Sequence, residues 1–268
     1  MTPEGDNSLF LRPFLWILFK ASMLRSKILA VGLLPLLYLY LFPHRKGKTI
    51  SLFIYGTRIQ LRPKSHDFYV AMTTLGGEFN LIQTIFPSDF NGVILDAGGY
   101  IGTAAIAFSK MYPHAKIVSL EPAQENFQLL EKNTRDFPNI IPIHAGISAD
   151  GLPLNLYDRH EGEWSFSTLP KSENGAPIVA HQIPSLTLQA LTDQYGPIAC
   201  IKMDIEGYEK TLFESDDSTL QNIPVVFVEL HEDIAPGVHT AFEVFNTFRY
   251  VLKDQGEKYL SLSHAPNV

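Results

Sequence analysis

Two sets of polar residues in this chain stand where apolar runs end, at spacings that suit binding and proton transfer. The first lies in VILDAGGYIG, Val93 to Gly102, and in IVSLEP, Ile117 to Pro122. An apolar run closed by Asp96 and followed by Gly98, Gly99 and Gly102 at the start of a helical pattern is how a parallel strand hands a nucleotide-type ligand to a helix N-terminus. Gly98 lets the backbone turn sharply and approach the ligand, and Gly102 allows close helix packing. Glu121, with Pro122 after it, ends the next apolar run about twenty residues on, where a carboxylate can reach a ribose hydroxyl. The spacing DxGxxxG is not GxGxxG, which weakens a dinucleotide reading and favours S-adenosylmethionine. Asp96 would then hold the amino-acid part of that ligand and Glu121 its ribose.

The second set lies in IKMDIEGYE and VVFVELHE. Lys202, Asp204 and Glu206 alternate at one strand end, and Glu229 and His231 alternate at another, so each set can converge at the mouth of a sheet. A carboxylate and an imidazole there could take the proton from an acceptor hydroxyl, with Lys202 positioning carboxylates. Glu229 and His231 could equally join Asp204 or Glu206 around a divalent ion; the expectation is a site without a metal. His144 and His181 read as ordinary structural or surface histidines.

The surrounding patterns must position these residues. Alternating residues around Gly56, from Thr49 to Pro63, read as a hairpin, and Ser65 to Phe86 as mixed helical structure broken at Gly76 and Gly77. Strands are expected at Val93–Leu95, Lys116–Leu120, Ile140–Ile143, Ile198–Met203 and Pro224–Leu230. Helices are expected after Gly102 and Glu121, and over Ser185–Tyr195, Glu206–Phe213 and Val238–Phe248. That alternation implies a parallel sheet with helices on both faces. Arg249–Lys253 and Lys258–Ser263 should close the chain as an antiparallel hairpin. The irregular, polar stretch from Asp150 to Pro184 is placed over the carboxyl ends of the strands, where ligands bind, as a cover for an acceptor site.

Composition narrows the classes. With 268 residues and 46% hydrophobic composition, the chain can bury a large core. One cysteine, Cys200, excludes a disulfide scaffold and suits a reducing compartment. The net charge is +4 through Gly47 and −11 beyond it. An acidic main domain argues against nucleic acid as a partner. Residues 9–42 are apolar and carry Arg12, Lys20, Arg25 and Lys27; the run from Ile28 to Pro43 is too short and proline-broken for a clean spanning helix. A membrane-associated segment over residues 1–47, lying in the interface and followed by a cytoplasmic catalytic domain over residues 48–268, is the expectation, with a helix packed on the catalytic domain or a targeting peptide as alternatives.

From about Thr49 to Tyr250 the chain resembles the FkbM-type methyltransferases. VILDAGGYIGTAAI is similar to the family's glycine loop, SLEPAQENFQLLEKN to its second strand and helix, IKMDIEGYE to its KxDxEGxE signature and VVFVELHE to its later strand. Tyr100 departs from the asparagine usual in that loop. The resemblance implies an α/β class I methyltransferase, Rossmann-like and doubly wound, with a mostly parallel seven-stranded sheet to which the apolar N-terminal helical segment is an addition. It implies S-adenosylmethionine as cofactor, held by Asp96, Gly98, Gly99, Tyr100, Gly102, Glu121 and Pro122. It also implies methylation of a hydroxyl on a sugar or small-molecule acceptor, and a lipid-linked acceptor is included in the expectation; the alternation at the two strand ends makes Asp204, Glu206, Glu229, His231 and Lys202 the catalytic set. The competing readings are a membrane-tethered binding protein that keeps the fold without turnover, and an NAD-dependent oxidoreductase.

Overall fold

The structure is a computed structural model that describes residues 22, 24–33, 35–36, 48–158, 166–168, 179–215, 218–253 and 256–264. It divides into two compact units, Met1–Lys64 and Ser65–Val268. In the first, residues 24–31 are helical, and β1 (Ile50–Ile54) pairs antiparallel with β2 (Thr57–Leu61). The intervening Tyr55 and Gly56 both have positive φ, 46° and 75°, the backbone of a tight two-residue hairpin turn. Most of the expected membrane segment, residues 9–42, lies outside the described residues. Among those described, no helix is long and apolar enough to cross a membrane.

The second unit opens with α1 (Asp67–Thr73), a π-helical turn (Thr74–Glu78) and α2 (Asn80–Gln83). The break expected at the glycine pair falls at Gly77, whose φ of 114° ends the turn. Then follow β3 (Val93–Ala97), α3 (Thr103–Met111), β4 (Lys116–Leu120), α4 (Gln124–Thr134) and β5 (Ile140–Ile143). After an excursion described below come α5 (Leu188–Tyr195), β11 (Ile198–Met203), α6 (Glu209–Glu214), α7 (Ser218–Asn222), β12 (Val225–Glu229), α8 (Val238–Phe245), β13 (Tyr250–Lys253) and β14 (Lys258–Leu262).

Seven of these strands form one sheet in the order β13-β14-β12-β11-β3-β4-β5, parallel except for β14. The closing hairpin is therefore present, and it carries the one reversed strand. Every residue of β3 is buried, as expected for a strand covered on both faces. Alternation sends Val93, Leu95 and Ala97 into a core with Leu188, Leu191, Leu212, Phe213, Phe242 and Phe245. On the opposite face Phe79 meets Phe108 of α3 at 4.6 Å and Phe227 of β12 at 5.4 Å.

Two expected helices start later than their sequence pattern. Glu206 (φ 53°) and Gly207 (φ 102°) are left-handed, so the turn after β11 cannot be helical and α6 begins at Glu209. Ser185 and Leu186 form β10, which pairs with β6 (Gly146–Ile147). Thr187 then caps α5 by accepting from the Ala190 N–H at 3.1 Å. The excursion expected between Asp150 and Pro184 contains a small antiparallel sheet of β7 (Leu154–Asp158), β8 (Phe166–Ser167) and β9 (Val179–Ile183).

After β5 the chain returns to the centre, and β11 joins the free side of β3. The strand order reverses there, and in such sheets ligands sit beyond the carboxyl ends at that switch point.

Candidate active site at the switch point

The loop after β3 is shaped by close approach. At Gly98 (φ 85°) an added Cβ would fall 1.9 Å from the carbonyl oxygen of Asp204, at the end of β11. At Gly99 it would meet Ser119 Oγ at 2.4 Å and Leu130 Cδ1 at 2.5 Å. Side chains are thus excluded from both positions, and the loop backbone stays bare toward the cavity. Gly98 and Gly99 donate their N–H groups to the carbonyl of Leu120, at 3.1 and 2.8 Å, which pins the loop to the end of β4.

Glu121, next along from β4, is buried and accepts the backbone N–H of Tyr100 and of Ala123, each at 2.8 Å. Burial pushes its carboxyl up to about 7, although those two N–H groups favour the charged form. Each oxygen keeps acceptor capacity beyond these bonds. A buried carboxylate beside a bare loop fits a ribose diol, and Gly98, Gly99, Tyr100, Glu121 and Pro122 all line the same cavity, of about 470 Å³. That volume suits a nucleoside-sized ligand.

Asp96 and Gly102 stand elsewhere. Asp96 is fully buried beneath the loop, where it accepts from Ser119 Oγ at 2.7 Å and lies 3.4 Å from Lys202 Nζ. Gly102 (φ 88°) packs against Leu130 and Thr134 of α4. Neither lines the cavity. Asp96 instead holds Lys202, whose ammonium also donates to the Gly98 carbonyl at 2.6 Å and lies 3.5 Å from Asp204. Burial opposes the Lys202 charge, but Asp204 and Asp96 outweigh it and raise its pKa. At Asp96 burial wins and its pKa rises.

The second set gathers across the cavity. His231 Nε2 lies 3.7 Å from Asp204 Oδ1 and 3.8 Å from Glu206 Oε2. Its Nδ1 lies 2.9 Å from Oε1 of Glu209, which is completely buried. Glu209 also accepts the N–H groups of Ile205 and Gly207, at 2.9 and 2.8 Å. One carboxylate therefore holds the left-handed turn and aims the imidazole. Burial works against a charge on His231, but Glu209, Asp204 and Glu206 raise its pKa to about 10. Burial, then the neighbouring Asp204, push Glu206 up to about 8. Burial also disfavours ionised Asp204, but Lys202 and His231 overcome it and hold its pKa below the usual carboxylate value. Asp204, Glu206 and His231 each offer one ligand atom within 4.8 Å of the others, a spacing that could also admit a divalent ion. Glu229 lies slightly apart, 3.3 Å from Lys258.

His144 has a structural setting: Nε2 lies 3.0 Å from the Pro122 carbonyl, and its ring stacks on Phe127 at 4.9 Å. The side chain of His181 lies outside the described residues. Several groups at the site were not singled out from sequence. Glu209 is the last letter of the KxDxEGxE block and could have been read as more than a solvated helix residue. Lys258, Glu78 and Asp67 carry no local signal, because they reach the site from distant elements.

The chain is similar in sequence to known methyltransferases. Residues 96–259 match the Methyltransferase FkbM domain. Hexuronic acid methyltransferase AglP of Haloferax volcanii is 26% identical over 171 residues, covering 60% of this chain. Methyltransferase 1 of Beauveria bassiana is 26% identical over 168 residues, covering 54% of this chain. The match spans 66% of the length of each of these relatives. M. jannaschii TYW2, solved in complex with AdoMet, is 14% identical with a TM-score of 0.42, covering 82% of this chain and 86% of that one. The family match takes in the glycine loop, Glu121, the KxDxEGxE block and His231 together, and it carries S-adenosylmethionine as the cofactor. The chain belongs to the FkbM methyltransferase family.

Proposed function

We propose that this protein transfers the methyl group of S-adenosylmethionine to an oxygen of a glycan or small-molecule acceptor, a sugar hydroxyl being the favoured group. The observation that carries the reading is that one cavity joins the Glu121 loop to the Asp204, Glu206 and His231 cluster. The hexuronic acid methyltransferase among the relatives supports a sugar acceptor. When bound, the cofactor supplies an activated methyl on a sulfonium, which departs as a neutral thioether. Glu121 would accept hydrogen bonds from the ribose hydroxyls, and the bare backbone at Gly98 and Gly99 would let the cofactor lie close.

The protein's remaining tasks are alignment and proton removal. Asp204 stays ionised near neutral pH and accepts the hydroxyl proton as the oxygen forms its bond to carbon. Glu206, which keeps its proton in the same range, orients the acceptor by a hydrogen bond. His231, fixed by Glu209, balances the clustered carboxylates. Lys202 holds Asp204 and the Gly98 carbonyl in one arrangement, so cofactor loop and proton acceptor share a support. The basic, apolar segment over residues 1–47 would bring this site to a membrane surface facing the cytoplasm.

Labelled S-adenosylmethionine incubated with cell extract tests the acceptor class: label should enter the glycan or small-molecule fraction. Label confined to nucleic acid or protein would refute it. With an acceptor in hand, Asp204→Asn should lower kcat by about 10²–10⁴-fold, and His231→Ala should lower it less, while cofactor affinity stays within about threefold, roughly the spread of 0.6 kcal/mol. Near-normal turnover in both would remove them from the mechanism.

A further inference from the structure

Tyr100 bonds in two directions. Its backbone N–H donates to Glu121 Oε2 at 2.8 Å, and its hydroxyl donates to Asp67 Oδ1 at 2.5 Å. Its φ is 49°, a left-handed backbone rarely kept by a residue of this size unless its surroundings hold it there. Asp67 is fully buried in the first turn of α1. That helix and the residues beside it form a wall of the cavity through His66, Tyr69, Val70, Thr73 and Thr74. The wall is tied at its far end as well, where Glu78 of the π-helical turn pairs with Lys258, itself 3.3 Å from Glu229. The segment lies before residue 96, outside the part of the chain that matches the family.

We propose that Tyr100 is a positioning residue: it links the cofactor loop at Glu121 to the acceptor-side wall at Asp67, so that occupancy of the loop orders the wall. This rests on the reading of the loop as an S-adenosylmethionine site. The tyrosine side chain is long enough to carry the loop's reach to α1, where its hydroxyl meets Asp67. Filling the loop fixes Glu121 and with it the Tyr100 backbone. The hydroxyl then passes that constraint to Asp67. The cavity wall would thus become firm when the methyl donor is in place, before an acceptor enters.

The experiment is hydrogen exchange of the full chain with and without S-adenosylmethionine, together with calorimetric titration, on wild type, Tyr100→Phe and Asp67→Asn. In wild type the cofactor should protect amides in both 98–104 and 67–79. In Tyr100→Phe protection should persist at 98–104 and be lost at 67–79, with affinity about tenfold weaker, the scale of one buried hydrogen bond. Asp67→Asn keeps an acceptor oxygen for the hydroxyl, so protection at 67–79 should be retained with a loss of about threefold or less. If either folded variant contradicts this pattern, with Tyr100→Phe keeping wild-type protection of 67–79 or Asp67→Asn losing it fully, the link is refuted. A wild-type chain that binds no S-adenosylmethionine would instead overturn the functional reading on which the link depends.

Discussion

Burial pushes the Glu121 carboxyl up to about 7, and this has two consequences of opposite use to the protein. Ribose recognition needs the ionised form, so S-adenosylmethionine affinity should fall about tenfold between pH 8 and pH 6. Titration across that range should show the fall in wild type and little of it in Glu121→Gln, which should bind weakly throughout. Stability runs the other way. The folded chain holds this proton up to about 7, whereas a solvated glutamate releases it near the ordinary value of 4.5. Between those values the unfolded chain binds fewer protons, so the contribution of Glu121 to stability falls as pH rises. Glu121→Gln should flatten that part of the profile in thermal melts of the ligand-free protein. The placement of Glu121 was legible in the sequence because a strand end fixes it. The setting of Asp96 was not: its burial depends on Ser119 and Lys202, which arrive from neighbouring strands.

Among the elements, α4 controls the glycine loop from below. Leu130 is fully buried, and its side chain and backbone stand within 2.5 to 3.4 Å of where Cβ atoms at Gly99 and Gly102 would lie. Leu130→Ala should cost about 2–5 kcal/mol, the range for truncating a buried leucine. It should also loosen the loop, so a urea midpoint and the cofactor affinity should fall together. A stability loss without any change in affinity would mean that the loop is held by its bonds to Leu120 alone. The small sheet of the excursion is attached at a sensitive point, where Ser167 Oγ donates to the Glu206 carbonyl at 2.5 Å. Ser167→Ala should raise the acceptor KM by severalfold, the size of one hydrogen bond of about 1 kcal/mol, while leaving cofactor binding unchanged.

The central strands were readable because burial on both faces gives near-continuous apolar runs. The sequence from Glu206 to Phe213 has the pattern of a helix, yet its first turn is left-handed at Glu206 and Gly207. Its left-handed backbone is imposed by Glu209, whose carboxylate binds the N–H groups of Ile205 and Gly207. No local rule reveals that Lys258, near the end of the chain, meets Glu78.

For the whole molecule, charge and apolar surface are divided along the chain, with +4 through Gly47 and −11 beyond. Removing residues 1–47 should move the protein from the membrane to the soluble fraction of fractionated cells and leave cofactor affinity as it was. Equal solubility of the two forms would refute the membrane role without touching the chemistry. The acidic remainder suits a cofactor with a sulfonium charge and opposes nucleic acid. The seven-stranded sheet reverses its order between β3 and β11, and the cavity lies beyond that point.

The cavity over Gly98 to Pro122 is expected to take S-adenosylmethionine. Calorimetric titration of the full chain with S-adenosylmethionine and, separately, with NAD tests it most directly. One S-adenosylmethionine bound per chain, with no heat from NAD, is the expected result. Binding of NAD in its place, or of neither, would rule out S-adenosylmethionine as the ligand of this cavity.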